Sequence, residues 1–274
     1  MKTAFNTMLK NESRILPTLL NIWKEYPIDL FIFYDDNSTD NSVVIIKEIL
    51  GDRCIIVNDN LESFNESHNR QRMINVAREE SVDIVLSIDC DELLTSTITS
   101  NFEDFLKIYE RHDMLLFWYN SVNATIADYR MDPQYANNYR SFVLPLSKTG
   151  GLNTSQFKYH TPRTPSVSLP KIQNNDFGVI HLQALNTKYY AIKQLWYKHH
   201  EFVNYGHSVD FINGRYDPVV NGLNFNSKKI DKRLIEGIKF DVKVFDGLEV
   251  EKGYLKFIHD NYNEDLITFG KEYL

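Results

Sequence analysis

The sequence predicts an α/β protein on a Rossmann-like, mostly parallel sheet flanked by helices. Strand-length apolar runs alternate with helix-period stretches through residues 1–95, the pattern of a sheet built from crossover units. Two of those runs end in acidic clusters, Asp35–Asp40 and Asp89–Glu92, where open α/β sheets carry their ligands. A length of 274 residues with 43% apolar side chains suits one large core, or one core with a short extension.

Thr3 to Leu9 reads as the first strand. The helix after it has Pro17 near its start, where a missing N–H is tolerated, and a stripe of Leu16, Leu19, Leu20 and Trp23. Ile28 to Tyr34 (IDLFIFY) is apolar on both faces, as a strand covered on two sides must be. Asp40 is placed to cap a helix carrying Val43, Val44, Ile46 and Leu50, which Gly51 ends. Cys54 to Val57 is a short strand, and Ser67 is placed to cap a helix through Met73, Ile74 and Ala77. Ile84 to Ile88 then runs straight into Asp89-Cys90-Asp91-Glu92.

Past this point the alternation loosens. Asn101 is placed to cap a helix through Phe105 and Ile108, followed by a strand from Met114 to Tyr119. Residues 121–175, rich in Asn, Ser, Thr, Pro and Tyr, read as short strands and long loops. Gly178 to Gln183 is a strand, and Tyr189, Ile192, Trp196, His199 and Val203 trace a helical stripe. No repeat or low-complexity linker interrupts the chain. We therefore expect one domain over 1–220, with halves 1–95 and 96–220, and an extension 221–274 packed on it.

Thirty Lys and Arg against 37 Asp and Glu give a net charge of −7, which speaks against nucleic acid as a partner. An anionic small ligand then needs positive charge supplied locally, as a metal supplies it. Two cysteines, Cys54 and Cys90, are too few for a disulfide framework and point to a reducing compartment. The segment MKTAFNTMLKNESR holds no apolar run of signal-peptide or membrane-span length. The expectation is a cytoplasmic protein without a membrane span, with peripheral membrane contact left open.

Four groups of residues carry the chemistry. A carboxylate of Asp35 to Asp40 at a strand end can accept hydrogen bonds from a base N–H or a ribose hydroxyl; the same residue types also build turns and caps. In Asp89-Cys90-Asp91-Glu92, alternation puts Asp89 and Asp91 on one face and turns Cys90 away, as a core thiol. Two converging carboxylates are costly unless a cation or protons neutralise them. Mg²⁺ or Mn²⁺ takes such oxygens together with substrate phosphates. In His68-Asn69-Arg70-Gln71-Arg72, Arg70 or Arg72 suits phosphate and Asn69 a ribose or base edge, with solvated helix-face arginines the plain alternative. His181, in Gly178-Val179-Ile180-His181-Leu182, is a third metal ligand if the carboxylates hold a metal, and a core histidine otherwise. His199 falls on the apolar stripe of its helix and His200 outside it, while His160 is a loop residue placed to meet an acceptor.

Together these residues resemble family-2 glycosyltransferases of the GT-A fold. Met8-Leu9-Lys10-Asn11-Glu12 looks like the family's first strand-to-helix turn, and Asp35 to Asp40 like its nucleotide-binding turn. Asn69 to Ala77 followed by Ile84 to Glu92 looks like the approach to its Asp-x-Asp-Glu metal motif. The resemblance rests on roughly residues 3–95. It implies a nucleotide-binding half over 1–95 and an acceptor-side half over 96–220. Donor-binding residues would be Asn11, Asp35, Asp36, Asn69, Arg70, Arg72 and Asp89, with Asp36 on the nucleobase or ribose. Asp91 would be the main metal ligand, with Asp89 beside it and His181 completing the site. It further implies a Mn²⁺- or Mg²⁺-dependent transfer of sugar, UDP-sugar favoured, onto a glycan or glycoconjugate hydroxyl. An inverting course, usual in the family, needs a general base; no Glu-Asp pair occupies the expected place, and Asp176, Glu201 and Asp210 are the candidates. Trp118, Tyr119, Tyr129, Tyr135 and Tyr139 would wall the acceptor, or simply pack.

Two other enzyme classes fit less well. A sugar nucleotidylyltransferase wants a glycine-rich loop after the first strand, and Leu9 to Arg14 contains no glycine. An aspartate-based phosphatase wants a small hydroxyl residue after its motif, where Leu93 stands. A non-catalytic nucleotide-sugar binder, a transferase without its base, is the remaining alternative.

Overall fold

The structure is a computed structural model that describes residues 1–61, 64–149, 162–165, 167–220, 225–245 and 252–274. In chain order its elements begin β1 (Thr3–Leu9), α1 (Leu16–Trp23), β2 (Leu30–Asp35), α2 (Ser42–Leu50), β3 (Cys54–Val57), α3 (Glu66–Glu79) and β4 (Ile84–Ser87). They continue with β5 (Glu92–Leu94), α4 (Ser96–Ser100), α5 (Phe102–Ile108), β6 (Asp113–Val122), β7 (Thr125–Arg130), β8 (Tyr139–Arg140) and β9 (Val143–Pro145). The last are β10 (Lys171–His181), α6 (Thr187–Tyr205), α7 (Val209–Val220), β11 (Ser227–Lys229) and α8 (Lys252–Asp260).

The chain forms two compact units. The first comprises Met1–Tyr119, Asn138–Ile180 and Asp231–Asp241; the second comprises Asn120–Asn137, His181–Ile230 and Val242–Leu274. Residues 221–274, expected as one extension, are thus shared between the two.

The first unit is the expected α/β layer structure. Its main sheet has the order β3-β2-β1-β4, all parallel, with β9 added antiparallel beside β4. Parallel neighbours need crossovers, which α1, α2 and α3 provide. Every residue of β2 is buried, as the run LFIFYD requires of a strand covered on both faces. The buried face of α1 is Leu16, Leu19, Leu20 and Trp23, and Trp23 packs on Phe5 of β1 with ring centroids 4.8 Å apart. A smaller set of strands, β8, β6, β10 and β5, completes the unit. Gly178 is required there: a Cβ would lie 2.5 Å from the Tyr119 ring and 2.9 Å from the Phe117 carbonyl oxygen.

The second unit is mainly helical. Strand β7 pairs antiparallel with β11 and with the end of β6. Asn186 caps α6 by accepting from the Tyr189 N–H, and Gly206, at φ 64°, ends it in the left-handed conformation. Ile192 and Leu195 of α6 pack with Ile258 of α8. The guanidinium of Arg130 is buried between the rings of Tyr135 and Phe225, 4.4 and 4.2 Å from their centroids, and pairs with Asp132.

Several expectations shift. The cap of α3 is Asn65, which accepts from the His68 N–H, and Ser67 is buried in the first turn. Helix α2 starts at Ser42, but Asp40 still accepts the Ser42 N–H at 2.9 Å. Strand β10 starts at Lys171, earlier than its apolar part suggests, because its first half alternates exposed and half-buried residues. The inner face of α6 carries Tyr190, Ile192, Leu195, Lys198 and His199, while Val203 is exposed. Among the described residues no helix is long and apolar enough to cross a membrane.

Candidate functional site

Strands β2, β1 and β4 lie side by side and parallel, so their carboxyl ends share one edge of the first unit. Asp35 ends β2 and holds its own turn: its carboxylate accepts from the Ser38 N–H at 3.2 Å and from Asn58 Nδ2 at 3.2 Å. Asn11, at φ 56°, is a staple of the same turn. Its Oδ1 accepts from the Thr39 N–H at 2.7 Å, and its own N–H donates to Ser38 Oγ at 3.0 Å. Asp40 accepts from Ser13 N–H, Ser42 N–H and Ser42 Oγ. Partial burial would raise its carboxyl pKa, but these hydrogen bonds outweigh burial and hold it below the usual value. Asp36 differs. Its charged partner is Lys10 Nζ, 3.2 Å away on a side chain that is 53% exposed. Asp36 itself is buried, so the lysine that reaches it from solvent is the part of the pair that a ligand donor can displace.

The β3–α3 connection adds residues that sequence reasoning passed over. Asn58 bonds Asp35, and Asp59 pairs with His68 Nε2 at 2.7 Å and with Arg72 Nε at 3.5 Å. Two α3 residues expected at a donor are buried. Asn69 is 0% exposed and neither atom of its amide has a hydrogen-bond partner among the described residues. Arg70 is buried as well. It pairs with Glu66 at 2.8 Å, donates to Ser87 Oγ at 3.3 Å and reaches Asp89 Oδ1 at 3.3 Å, so its fork is engaged inside the protein. Arg72 is the half-exposed arginine of the pair.

After β4 the chain turns through Asp89, Cys90, Asp91 and Glu92. Cys90 is buried beside Thr7 Oγ1 at 3.6 Å, and burial pushes its thiol well above the usual value, as suits a core residue. Glu92 is 0% exposed and fully engaged. It accepts from the Asp89 N–H at 2.9 Å, from Trp118 Nε1 at 2.6 Å and from both terminal nitrogens of Arg163, one of them at 2.8 Å. Arg163 also reaches Asp89 Oδ2 at 2.6 Å. Its guanidinium lies over Trp118 and Phe142, 5.2 and 4.9 Å from the ring centroids. Burial alone would disfavour its charge, but Asp89 and Glu92 outweigh burial and hold it above the ordinary arginine value. Asp89 thus lies between two guanidinium groups, in the series Glu66, Arg70, Asp89, Arg163, Glu92. Asp91 is half-buried on the same turn.

Trp118 therefore supports Arg163 and Glu92 instead of walling an acceptor. Tyr119 packs on Phe117, Tyr139 donates to Asn175, Tyr135 covers Arg130 and Tyr129 is buried, so the expected aromatic wall is packing. His160 lies outside the described residues.

His181 belongs to the second unit, where it is buried and its Nδ1 lies 2.8 Å from Asn120 Oδ1. An acceptor opposite Nδ1 selects the tautomer that leaves Nε2 with the lone pair, the form a metal-ligating imidazole takes. Among the described residues no group of three or more His, Cys, Asp or Glu side chains is arranged to hold a metal ion. The donor set of the acidic turn suits the looser arrangement of one or two carboxylates completed by phosphate oxygens. Of the base candidates, Asp176 stands beside Thr97, beyond β5 from Glu92, with its carboxylate 69% exposed and 3.9 Å from Arg233. Glu201 is buried in α6 and accepts from the Tyr216 hydroxyl at 2.6 Å; Asp210 is exposed in the first turn of α7. Asp176 belongs to the first unit, and Glu201 and Asp210 to the second.

Sequence reasoning missed Arg163, the buried role of Glu92, and Asp59. Arg163 lies between Pro162 and Pro165 in an irregular stretch, where no periodicity singles it out.

Comparison with known proteins bears on this edge of the sheet. The model of "Glycosyl transferase family 2" matches residues 3–164, more than half of the chain. No curated protein matches. Among solved structures, S. aureus TarS 1–349 aligns over 43% of this chain and 36% of its own, with 16% identity and a TM-score of 0.36. A longer S. aureus TarS structure aligns over 97% and 50%, with 12% identity and a TM-score of 0.44. Glucosyl-3-phosphoglycerate synthase from Mycobacterium tuberculosis, with phosphoglyceric acid, aligns over 44% and 45%, with 14% identity and a TM-score of 0.33. This chain thus spans half or less of each of these three, and likenesses so slight carry no weight on function. The family match spans β1 to β4, both acidic turns and Arg163, and on it the chain belongs to glycosyl transferase family 2.

Proposed function

We propose that this protein transfers a sugar from a nucleotide diphosphate sugar, UDP-sugar favoured, to a hydroxyl of a glycan or glycoconjugate. The observation that carries this reading is the pairing of two different acidic turns on one sheet edge. Asp36 offers an exchangeable carboxylate after β2, and Asp91 offers a second one after β4. Asp36 binds the base or ribose, where its acceptor oxygens match N–H and O–H donors. Asp91 holds Mn²⁺ or Mg²⁺ against the diphosphate, and His181 is the residue proposed as a further ligand; imidazole shifts the preference toward Mn²⁺. The metal supplies positive charge where the departing diphosphate gathers negative charge. UDP is favoured because many members of the resembled family use it. A carboxylate takes the acceptor proton in an inverting displacement, and Asp176, Glu201 and Asp210 are the residues proposed for it. Replacing each by its amide and measuring turnover separates them.

The test of the whole reading is a calorimetric titration of UDP with and without Mn²⁺. Wild type binds UDP with metal-dependent affinity, and Asp91→Ala loses that dependence, since metal and nucleotide binding are reciprocally coupled. His181→Ala weakens the dependence and blunts the preference for Mn²⁺. UDP affinity indifferent to metal in wild type sinks the site. Stronger binding of GDP or dTDP overturns the choice of nucleotide alone.

A further inference from the structure

The acidic turn carries its own cation. Arg163 spans Glu92 and Asp89 with one guanidinium, and its side chain is 13% exposed. On the other side of Asp89, Arg70 occupies Oδ1. Three carboxylates, Glu66, Asp89 and Glu92, thus face two guanidiniums, and Asp91 adds one more negative charge beside them. We infer that Arg163 is the internal counter-cation of this turn, withholding Asp89 and Glu92 from a divalent metal so that metal capture waits for the phosphates of the nucleotide.

The inference rests on the proposed function of the same turn. Three observations support it. Both oxygens of Asp89 face guanidinium nitrogens, Oδ1 at 3.3 Å and Oδ2 at 2.6 Å. Glu92 is buried with donors from the backbone, an indole and Arg163, a hydrogen-bonding state that a metal would have to dismantle. A divalent ion approaching the turn also meets the positive charge of Arg163, which burial behind Trp118 and Phe142 screens poorly from it. A nucleotide diphosphate changes this balance by adding negative charge and the oxygen ligands that the turn keeps to itself. Arg163 is on this account a positioning residue that makes metal binding conditional.

The experiment is a titration of MnCl₂ into the nucleotide-free full chain. Wild type binds weakly, and R163Q binds at least about tenfold more tightly, because removing one positive charge leaves the carboxylates to attract the ion. R163Q strands the buried charge of Glu92, so E92Q/R163Q serves as the second variant; it neutralises Glu92, releases Asp89 Oδ2, and gains Mn²⁺ affinity by less than R163Q because one carboxylate goes with the arginine. R163K keeps the charge and stays close to wild type, which a purely packing role for Arg163 does not predict. Wild type binding Mn²⁺ alone as tightly as R163Q overturns the inference, and so does a double variant that folds by circular dichroism yet gains nothing. Mn²⁺-dependent UDP binding by wild type, measured separately, decides the proposed function. That dependence can stand while the Arg163 variants fail, and the variants can gain Mn²⁺ while UDP binding fails.

Discussion

Two acidic turns leave the same sheet, after β2 and after β4 with β1 between them, and they neutralise their charge by different means. Around Asp35 to Asp40 the carboxylates accept from backbone N–H groups, serine hydroxyls and Asn58, and one half-exposed lysine meets Asp36. Around Asp89 to Glu92 the work falls to two buried guanidiniums, Arg70 and Arg163. The first turn is held by neutral donors from the β1–α1 and β3–α3 connections, with one lysine reaching in from solvent. The second draws a buried arginine from 74 positions away to hold Asp89. Acidic clusters of similar composition thus acquire different chemistry from the burial of their donors: one presents an exchangeable carboxylate, the other a locked charge network.

Removing a cation from each turn gives the largest expected contrast. Arg70→Met leaves Glu66 and Asp89 without their buried partner and should cost about 3–5 kcal/mol of stability, the range for breaking a buried ion pair from one side. Lys10→Met at Asp36 should cost less, because the lost lysine is itself 53% exposed and water can replace it. Urea denaturation of both variants reads the difference directly. Equal midpoints for the two would mean that the Arg70 network is no more buried, in energetic terms, than the surface pair.

Ligand binding should separate the turns in a second way. Asp36→Ala is expected to lower UDP affinity by about tenfold, with and without Mn²⁺, because a lost hydrogen bond to a charged group is worth about 1.5–3 kcal/mol. Asp91→Ala acts through the metal alone. Unchanged UDP affinity in the Asp36 variant would return Asp35 to Asp40 to the role of a turn and cap.

The sequence made the sheet legible because its signals are local. IDLFIFY can only be a strand buried on two faces, and Leu16, Leu19, Leu20 and Trp23 are four contacts of one helix face. The position of both acidic turns followed from those strands. Their partners did not follow, since pairing across long separations leaves no periodic trace. Arg70 looked like a phosphate ligand, although it is buried against Glu66 and Asp89. Trp118 looked like acceptor wall, although its indole N–H is taken by Glu92. The shifted face of α6 has a related cause: buried Lys198 takes an inner position by pairing with Asp217 and Thr268, which an apolar stripe cannot foresee.

The smallest expected effect is electrostatic and belongs to the first turn. Asp40 accepts from Ser13 N–H, Ser42 N–H and Ser42 Oγ, and these bonds favour its charged form strongly enough to overcome partial burial. Its folded pKa therefore lies below the ordinary carboxylate value. A carboxyl with a depressed folded pKa adds stability that is fully present above the unfolded value and is lost as pH falls through the folded one. Asp40→Asn keeps the shape of the cap and removes the charge, so at pH 7 it should cost roughly 0.5–1 kcal/mol, at the low end for caps because the site is exposed and screened. The gap between wild type and variant should stay constant from pH 7 to pH 5 and close below the unfolded value, as wild-type Asp40 takes up its proton. Urea midpoints at stepped pH measure it. A gap for Asp40→Asn that widens on acidification would show that the first turn is held by something other than hydrogen bonds to an ionised Asp40.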